Sequence, residues 1–520
     1  MSNELPREVD VAIVGSGLAG STYARVLHEA APAATIAVFE AGPAVSQPPG
    51  RHVRTLPTAE EMRAAQLASQ GGADASAAAR MPLAATAGGS AGAVVARPGT
   101  RLVGSGDLAE DMPAAAMSTN VGGMGAHWTC ACPLPGEGER IPFIPGEELD
   151  AALAEAGRLL HVTQDAFEGA PLGAEIRAVL AKEVDAGRDP SRRVQPMPLA
   201  VEVSPDGQRY WTGADVLLAP IADSERFTLV PDHPAVEVLH QDGCVTGVRV
   251  RDRATGDVHD VRARYVVVAA DSFRTPRLLH VSGIRPRALG HYLNDHPQVL
   301  GLARLDDRFI DESLRVAATS RDEDATALQP FSGVSWIPYD KDRLPFHVQV
   351  MQLDTSPVPL EGVQEPWPGS IVGVGIFGAK DIQFEDRLEF DDSELDEDGL
   401  PAVRVHYRLT DADLAMLEHA KETVASLVDA LGGPVGEGRP TVLPNGSSLH
   451  YLGTVRMGAT DDGESVCDSN GAVWCVHGLH VAGNGVIPTP TACNPSITMV
   501  ALAARGAHVI ADALNAPKGN

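Results

Sequence analysis

Apolar and polar positions divide the chain into segments of distinct period. The run VDVAIVG (Val9–Gly15) is β-branched and ends in glycine, which predicts a parallel strand buried on both faces. LAGSTYARVLHEA then predicts a helix and TIAVFEAG (Thr35–Gly42) a second strand, so the chain opens with a β-α-β unit. LDAALAEAGRLLHV and GAEIRAVLAKEV have amphipathic helical spacing. From Arg226 to Ala270 the pattern turns to strands: RFTLVPDH, VEVLHQDGCVTGVRVRD with a hairpin turn at Asp242-Gly243, and ARYVVVAAD. Between 300 and 410, FHVQVMQL, SIVGVGIFG and AVRVHYRL predict a separate, largely antiparallel sheet. DADLAMLEHAKETVASLVDALGG predicts a long helix, capped by Asp411 or the preceding Thr410 and stopped by glycine. GLHVAGNGVIPT predicts a strand and loop, and a final helix starts near NPSITMVALAARGAHVIADAL. There is no repeat of solenoid period. Strands of the first unit occur at both ends of the chain, so two interleaved domains are expected.

Residues 59–95 are rich in Ala, Gly and Ser. AEEMRAAQLASQ has helical character. GGADASAAARMPLAATAGGSAGA is expected to form a loop: a lid, an oligomerisation arm or a solvated insertion.

Composition narrows the partners. The 520 residues are 44% apolar and 21% charged, an ordinary folded composition for about two domains. The net charge of −28 disfavours nucleic acid and anionic lipid and favours a neutral small molecule. Six cysteines are scattered, and Cys130-x-Cys132 has no second pair at zinc spacing, so no metal is expected. The N-terminus lacks a basic segment followed by an apolar core, and no run predicts a membrane span. These features point to the cytoplasm.

GSGLAG is G-x-G-x-x-G at Gly15, Gly17 and Gly20, between a strand and a helix. The first glycine makes the turn, the second admits a pyrophosphate to the backbone, and the third lets helix and strand approach. The helix N-terminus supplies N–H groups and partial positive charge. Glu40 ends the second strand, where a carboxylate accepts from a ribose hydroxyl and repels a 2′-phosphate. The motif indicates FAD or NAD, not NADP.

NVGGMGAHWTCACP (Asn120–Pro133) closely resembles the flavin loop of pyranose oxidases, members of the glucose–methanol–choline (GMC) oxidoreductases. AADSFRTPRLL (Ala269–Leu279) resembles a family strand and turn, and YLNDHP (Tyr292–Pro297) the block after it. HYLGTVRMG (His450–Gly458) and VAGNGVIPTPTACNPSITMVALAARGA resemble the blocks that hold the two catalytic positions. The matches run in order along most of the chain and weaken over 55–110 and 300–440.

The resemblance implies an α/β fold: a Rossmann-like FAD-binding domain interleaved with a substrate domain of antiparallel sheet and helices, the p-hydroxybenzoate-hydroxylase-like architecture. The FAD-binding domain would comprise 1–55, 201–299 and 441–520, with the flavin loop at 111–145. Residues 56–110 would be an inserted lid or arm, 146–200 cap helices and 300–440 the substrate-binding domain. Cofactor contacts would come from Gly15, Gly17, Gly20, Glu40, Asn120, Gly122, Gly123, Met124, His127, Thr129, Val236, Asn484, Asn494 and Pro495. By resemblance His127 either carries the flavin covalently or packs beside its ring. A covalent substituent would raise the flavin potential and favour taking hydride from an alcohol. Thr129 would lie near the flavin N5 edge.

Alcohol oxidation removes a proton and a hydride, and the proton needs a base with a pKa near neutral. His450 matches the family base. Asn494 stands at the second catalytic position, where an amide orients the substrate oxygen. Pro495 fits the start of the last helix, whose positive end would face the flavin. Gln349 aligns with a sugar-contacting glutamine, whereas Leu353 and Ala379 or Lys380 replace a family carboxylate and arginine.

The expected activity is oxidation of a secondary ring hydroxyl of a sugar or glycoside, at C2 as in pyranose oxidases or C3 as in bacterial C-glycoside 3-oxidases. Dioxygen, giving hydrogen peroxide, or a quinone would accept the electrons. Other readings are a GMC enzyme for a sterol, choline or aryl alcohol, a quinone-dependent sugar dehydrogenase, an NAD-dependent dehydrogenase and a non-enzymatic flavin-binding protein. Free sugar or glycoside, and the oligomeric state, are left open by the residues.

Overall fold

The computed structural model describes residues 5–70, 98–103, 110–309, 333–352, 369–395, 399–435 and 438–517. The glycine-rich segment 71–93 and Leu353 lie outside the described residues.

Strand β1 (Glu8–Val14) is followed by helix α1 (Leu18–Ala30) and strand β2 (Ile36–Phe39). The apolar run VDVAIV is buried because β1 is central, parallel to β2 on one side and to the strand Val258–Val268 on the other. Phe227–Val230 extends the sheet beyond β2, also in parallel. The eleven-residue strand Val258–Val268 serves two partners along one edge. Its first half pairs antiparallel with Cys244–Arg251 of the predicted hairpin, and its last three residues pair parallel with Leu479–Val481. That second pairing brings the C-terminal block beside the N-terminal glycine loop. Asp242 and Gly243 both have positive φ, as a two-residue hairpin turn requires.

The terminal helix Ser496–Asn515 packs on α1 and on the helix Gly146–Leu159. It is the one described helix long and apolar enough to cross a membrane, and its apolar face is spent on this core. Gly506 permits the close approach, since a Cβ there would lie 1.9 Å from the Tyr23 hydroxyl.

The second sheet is antiparallel throughout. Its order is Thr441–Val442, Gln298–Arg304, Ile371–Gly378, Phe346–Gln352, Val334–Ile337, Gln195–Pro196. Period-two alternation gives it two unlike faces. Val299, Val348, Val350, Val372, Val374 and Ile376 bury against the helix Asp411–Leu431. Leu300, Leu302, Gln349, Met351, Gly373, Gly375 and Phe377 line a cleft. Thr410 caps the long helix in a capping box with Asp413, which decides between the two predicted caps.

Two expectations are corrected. AVRVHYRL does not join this sheet; Pro401–His406 pairs with Arg387–Leu395 in a separate ribbon. The expected turn in Ala269–Leu279 is the helix Asp271–Val281, which holds Pro276 in its second turn; in the first turn Asp271 accepts from Phe273 N and Arg274 N.

Candidate active site

One cleft of about 1050 Å³ runs from the glycine loop to the inner face of the antiparallel sheet. At one end, Gly15 adopts φ +98°, and a Cβ there would lie 2.4 Å from the Ala269 carbonyl oxygen. Gly20 is equally required, since its Cβ would lie 2.0 Å from the Gly15 oxygen. Gly17 differs. A Cβ there would meet nothing nearer than the Gly122 oxygen at 3.9 Å, so its bare face opens on the cleft. Gly17 caps α1 without any side-chain hydrogen bond, and no acidic residue lies in the first turn. The helix therefore presents unsatisfied N–H donors, as a pyrophosphate requires.

Glu40 lines the cleft, but its carboxylate also builds the loop. One oxygen accepts from Ser16 N (3.0 Å) and Ser16 Oγ (2.7 Å), the other from Gly42 N (3.0 Å). Burial raises its pKa, against these hydrogen bonds. Ser16 Oγ also accepts from Gly122 N at 2.9 Å, which ties the two glycine loops together.

Of the flavin-loop residues, Gly123, Met124, His127 and Thr129 line the cleft. Asn120 and Gly122 lie behind it and shape the loop: Asn120 Nδ2 donates to the Val121 carbonyl (2.7 Å), and Gly122 takes φ +93°. Val236 is also set back. It is the bulged residue of the hairpin, and its neighbours Pro234 and Ala235 face the cleft instead. Asn484, Asn494 and Gln349 line the cleft, and Pro495 occupies the N-cap of the terminal helix. His127 Nε2 pairs with Ser69 Oγ at 2.9 Å, and its Nδ1 is buried without a partner among the described residues. Burial lowers its pKa to about 4, so the ring is neutral at pH 7.

At the other end, the predicted pair meets. Gln349 Nε2 donates to Asn494 Oδ1 (2.6 Å), Asn494 Nδ2 stands 3.3 Å from His450 Nε2, and His450 Nδ1 stands 3.0 Å from His296 Nδ1. The Phe377 ring packs against His450.

Two buried carboxylates hold the pair in place. Asp295 accepts from His450 N (3.2 Å), Gly446 N (3.1 Å) and Ser448 Oγ; burial pushes its pKa up to about 6. Glu139 accepts from Ala492 N (2.8 Å), Cys493 N (3.0 Å) and Thr491 Oγ1 (3.2 Å), just before Asn494. Sequence reasoning missed Ser16, Glu139, Asp295 and His296. Asp295 and His296 lie inside the YLNDHP block. Glu139 carries no motif, and only the fold brings it to Asn494. Among the described residues no group of three or more His, Cys, Asp or Glu stands ready to hold a metal ion.

The glycine loop, the uncapped helix and the cleft volume fit FAD. Comparison with known proteins agrees. Residues 146–298 and 387–503, together more than half of the chain, match the N- and C-terminal models of GMC oxidoreductase. The chain belongs to the GMC oxidoreductase family and is an FAD-dependent oxidoreductase acting on CH–OH groups. It is 52% identical to a C-glycoside 3-oxidase of Arthrobacter globiformis, over 98% of this chain and 96% of that one. It is 50% identical to a C-glycoside 3-oxidase of Microbacterium trichothecenolyticum, over 98% of both. A pyranose 2-oxidase of Tricholoma matsutake is 32% identical over 77% of this chain and 74% of that one. Among solved structures, formate oxidase from Aspergillus oryzae superposes with a TM-score of 0.67 at 16% identity, covering 98% of this chain and 99% of that one, a likeness of fold.

Proposed function

We propose that this enzyme oxidises a secondary ring hydroxyl of a glycoside to the ketone, at C3 of a glucopyranosyl group, with dioxygen as acceptor. The observation that carries the reading is the row Gln349–Asn494–His450 on the cleft wall opposite the glycine loop. The greater identity to C-glycoside 3-oxidases than to a pyranose 2-oxidase supports C3 over C2 and a glycoside over the free sugar.

Bound FAD would supply the hydride acceptor. The chain's own residues handle the proton and the pose. His450 Nε2 takes the hydroxyl proton as carbon loses hydride, and Asn494 fixes the hydroxyl oxygen beside that nitrogen. Gln349 holds the Asn494 amide in one orientation by donating to its oxygen. The sheet face and Phe377 exclude water from one side of the site. Asn494 and Ser496 place the uncapped N-terminus of the terminal helix on the cleft, where its partial charge favours negative charge on the cofactor. His127, neutral and buried beside the cleft, is the residue that would carry the cofactor covalently.

Anaerobic mixing with an aryl C-glucoside tests the activity. The oxidised flavin band should bleach faster than with D-glucose, the product should carry its ketone at C3, and air should then yield hydrogen peroxide. His450→Ala should slow bleaching by about 10²–10⁴-fold. Bleaching by glucose first, with a 2-keto product, would replace this reading by pyranose 2-oxidation. An unchanged rate in His450→Ala would remove His450 as base.

A further inference from the structure

His450 has a second neighbour that no role above absorbs. His296 is 2% exposed, and its Nδ1 stands 3.0 Å from His450 Nδ1. Two imidazole nitrogens at that distance share one proton, so one ring donates and the other accepts. The rest of the row decides which. Gln349 Nε2 donates to Asn494 Oδ1, which leaves Asn494 Nδ2 to donate to His450 Nε2. His450 Nε2 is then the acceptor, and its proton sits on Nδ1, facing His296.

We propose that His296 is the positioning residue of the base: its Nδ1 accepts the Nδ1 proton of His450 and so holds His450 in the tautomer whose Nε2 lone pair faces the cleft. This rests on the reading of His450 as base given above. A carboxylate commonly fills such a place; here the acceptor is a neutral ring. The groups around His296 keep it so. Phe377 packs edge-on to it at 6.3 Å between ring centres. His347, on the neighbouring strand, is itself fully buried and held neutral, with its Nδ1 accepting from Trp336 Nε1 and its Nε2 without a partner among the described residues. Arg192 adds positive charge on the His347 side. Asp295, next in the chain, turns its carboxylate to Gly446, Ser448 and the His450 backbone. His296 Nε2 has no partner among the described residues, and burial lowers the pKa of the ring to about 3. A cationic His296 would carry its proton on Nδ1 and push His450 into the wrong tautomer, so the apolar surroundings serve the arrangement.

The test compares His296→Leu, His296→Asn and His450→Ala in the holoenzyme, by flavin bleaching with an aryl C-glucoside from pH 5 to 9, with circular dichroism as a check on folding. Asn places an amide oxygen near the position of Nδ1; Leu places nothing. His296→Leu should reduce bleaching at saturating substrate by about 10–100-fold, part of a general base's full contribution, with the half-saturating concentration little changed. Its acidic limb should move to lower pH, since the His450 cation loses an acceptor. His296→Asn should recover most of the rate and restore the limb. The proposal is overturned if His296→Leu bleaches at the wild-type rate, or if the Asn and Leu variants are equally slow with the wild-type limb. A His450→Ala enzyme that bleaches normally would defeat the base assignment itself, a separate outcome. If His296→Leu does not fold, the Asn variant carries the test: a wild-type rate and limb support the proposal, and a Leu-sized loss with an unmoved limb overturns it.

Discussion

His450 and Asn494 are 44 positions apart and meet because a buried carboxylate holds each loop from a distant part of the chain. Asp295 gathers the amides before His450, and Glu139 those before Asn494. Carboxylates suit this task, because each oxygen accepts more than one N–H and desolvation is offset by several donors. The same logic makes Glu40 a builder of the glycine loop. At this scale His127 supplies a sharp prediction. Flavin should remain with acid-precipitated wild-type protein, whereas His127→Ala should release it and keep some activity. Release from the wild type would show that the ring merely packs beside the cofactor.

At the scale of elements, the glycines separate two kinds of requirement. Gly20 faces backbone, and an added methyl would sit 2.0 Å from the Gly15 oxygen. Gly17 has ordinary backbone angles (φ −60°, ψ 177°) and faces open cleft. Gly17→Ala should therefore fold with a native circular dichroism spectrum yet purify poor in flavin. Gly20→Ala should lose both fold stability and flavin, because α1 must move away from β1. Equal flavin content in Gly17→Ala and wild type would show that the cofactor does not approach that face.

The whole molecule carries a pH signature. Burial lowers the pKa of His52 and His296 to about 3 and of His127 and His480 to about 4, and that of His347 well below its usual value. An exposed histidine in the unfolded chain titrates at about 6.5. The folded state then binds fewer protons, so this contribution is complete above about pH 6.5 and is lost as pH falls toward the folded values. At pH 5 each such ring would cost about 2 kcal/mol, and together they approach the 5–15 kcal/mol, roughly, of a typical fold. Asp295 opposes them. Its pKa is raised to about 6, so its contribution is present in acid and is lost as pH rises through 6. Burial raises Glu40, Asp215 and Asp386 in the same sense and also lowers His280 and His291, so four carboxyls stand against seven histidines and the balance stays with the histidines. Melting temperature should fall steeply from pH 7 to pH 5; a flat profile would mean that these rings gain partners the structure does not show.

Local pattern reaches far into this protein. Periods of 2 and 3.6 locate the β-α-β opening, the hairpin, the cleft-facing strand Phe346–Gln352 and both long helices, because each buries one face regardless of its eventual neighbour. The glycine spacing and the family blocks identify a flavin site, and with it His450 and Asn494. Where pattern failed, the cause was pairing or packing at a distance. Pro401–His406 alternates like a sheet strand, and only the positions of other strands assign it to a separate ribbon. At Val236 a bulge, not the local alternation, sets which residues of the hairpin face the cleft. Glu139, Asp295 and His296 look like ordinary polar residues in sequence. Their roles come from the loops that the two sheets press against them, since a hydrogen-bond partner more than a hundred residues away leaves no periodic trace. The chain alone thus determined which elements form and which cofactor chemistry they serve; tertiary structure decided which polar groups are buried together, and so which side chains stand beside His450 and Asn494 on the cleft.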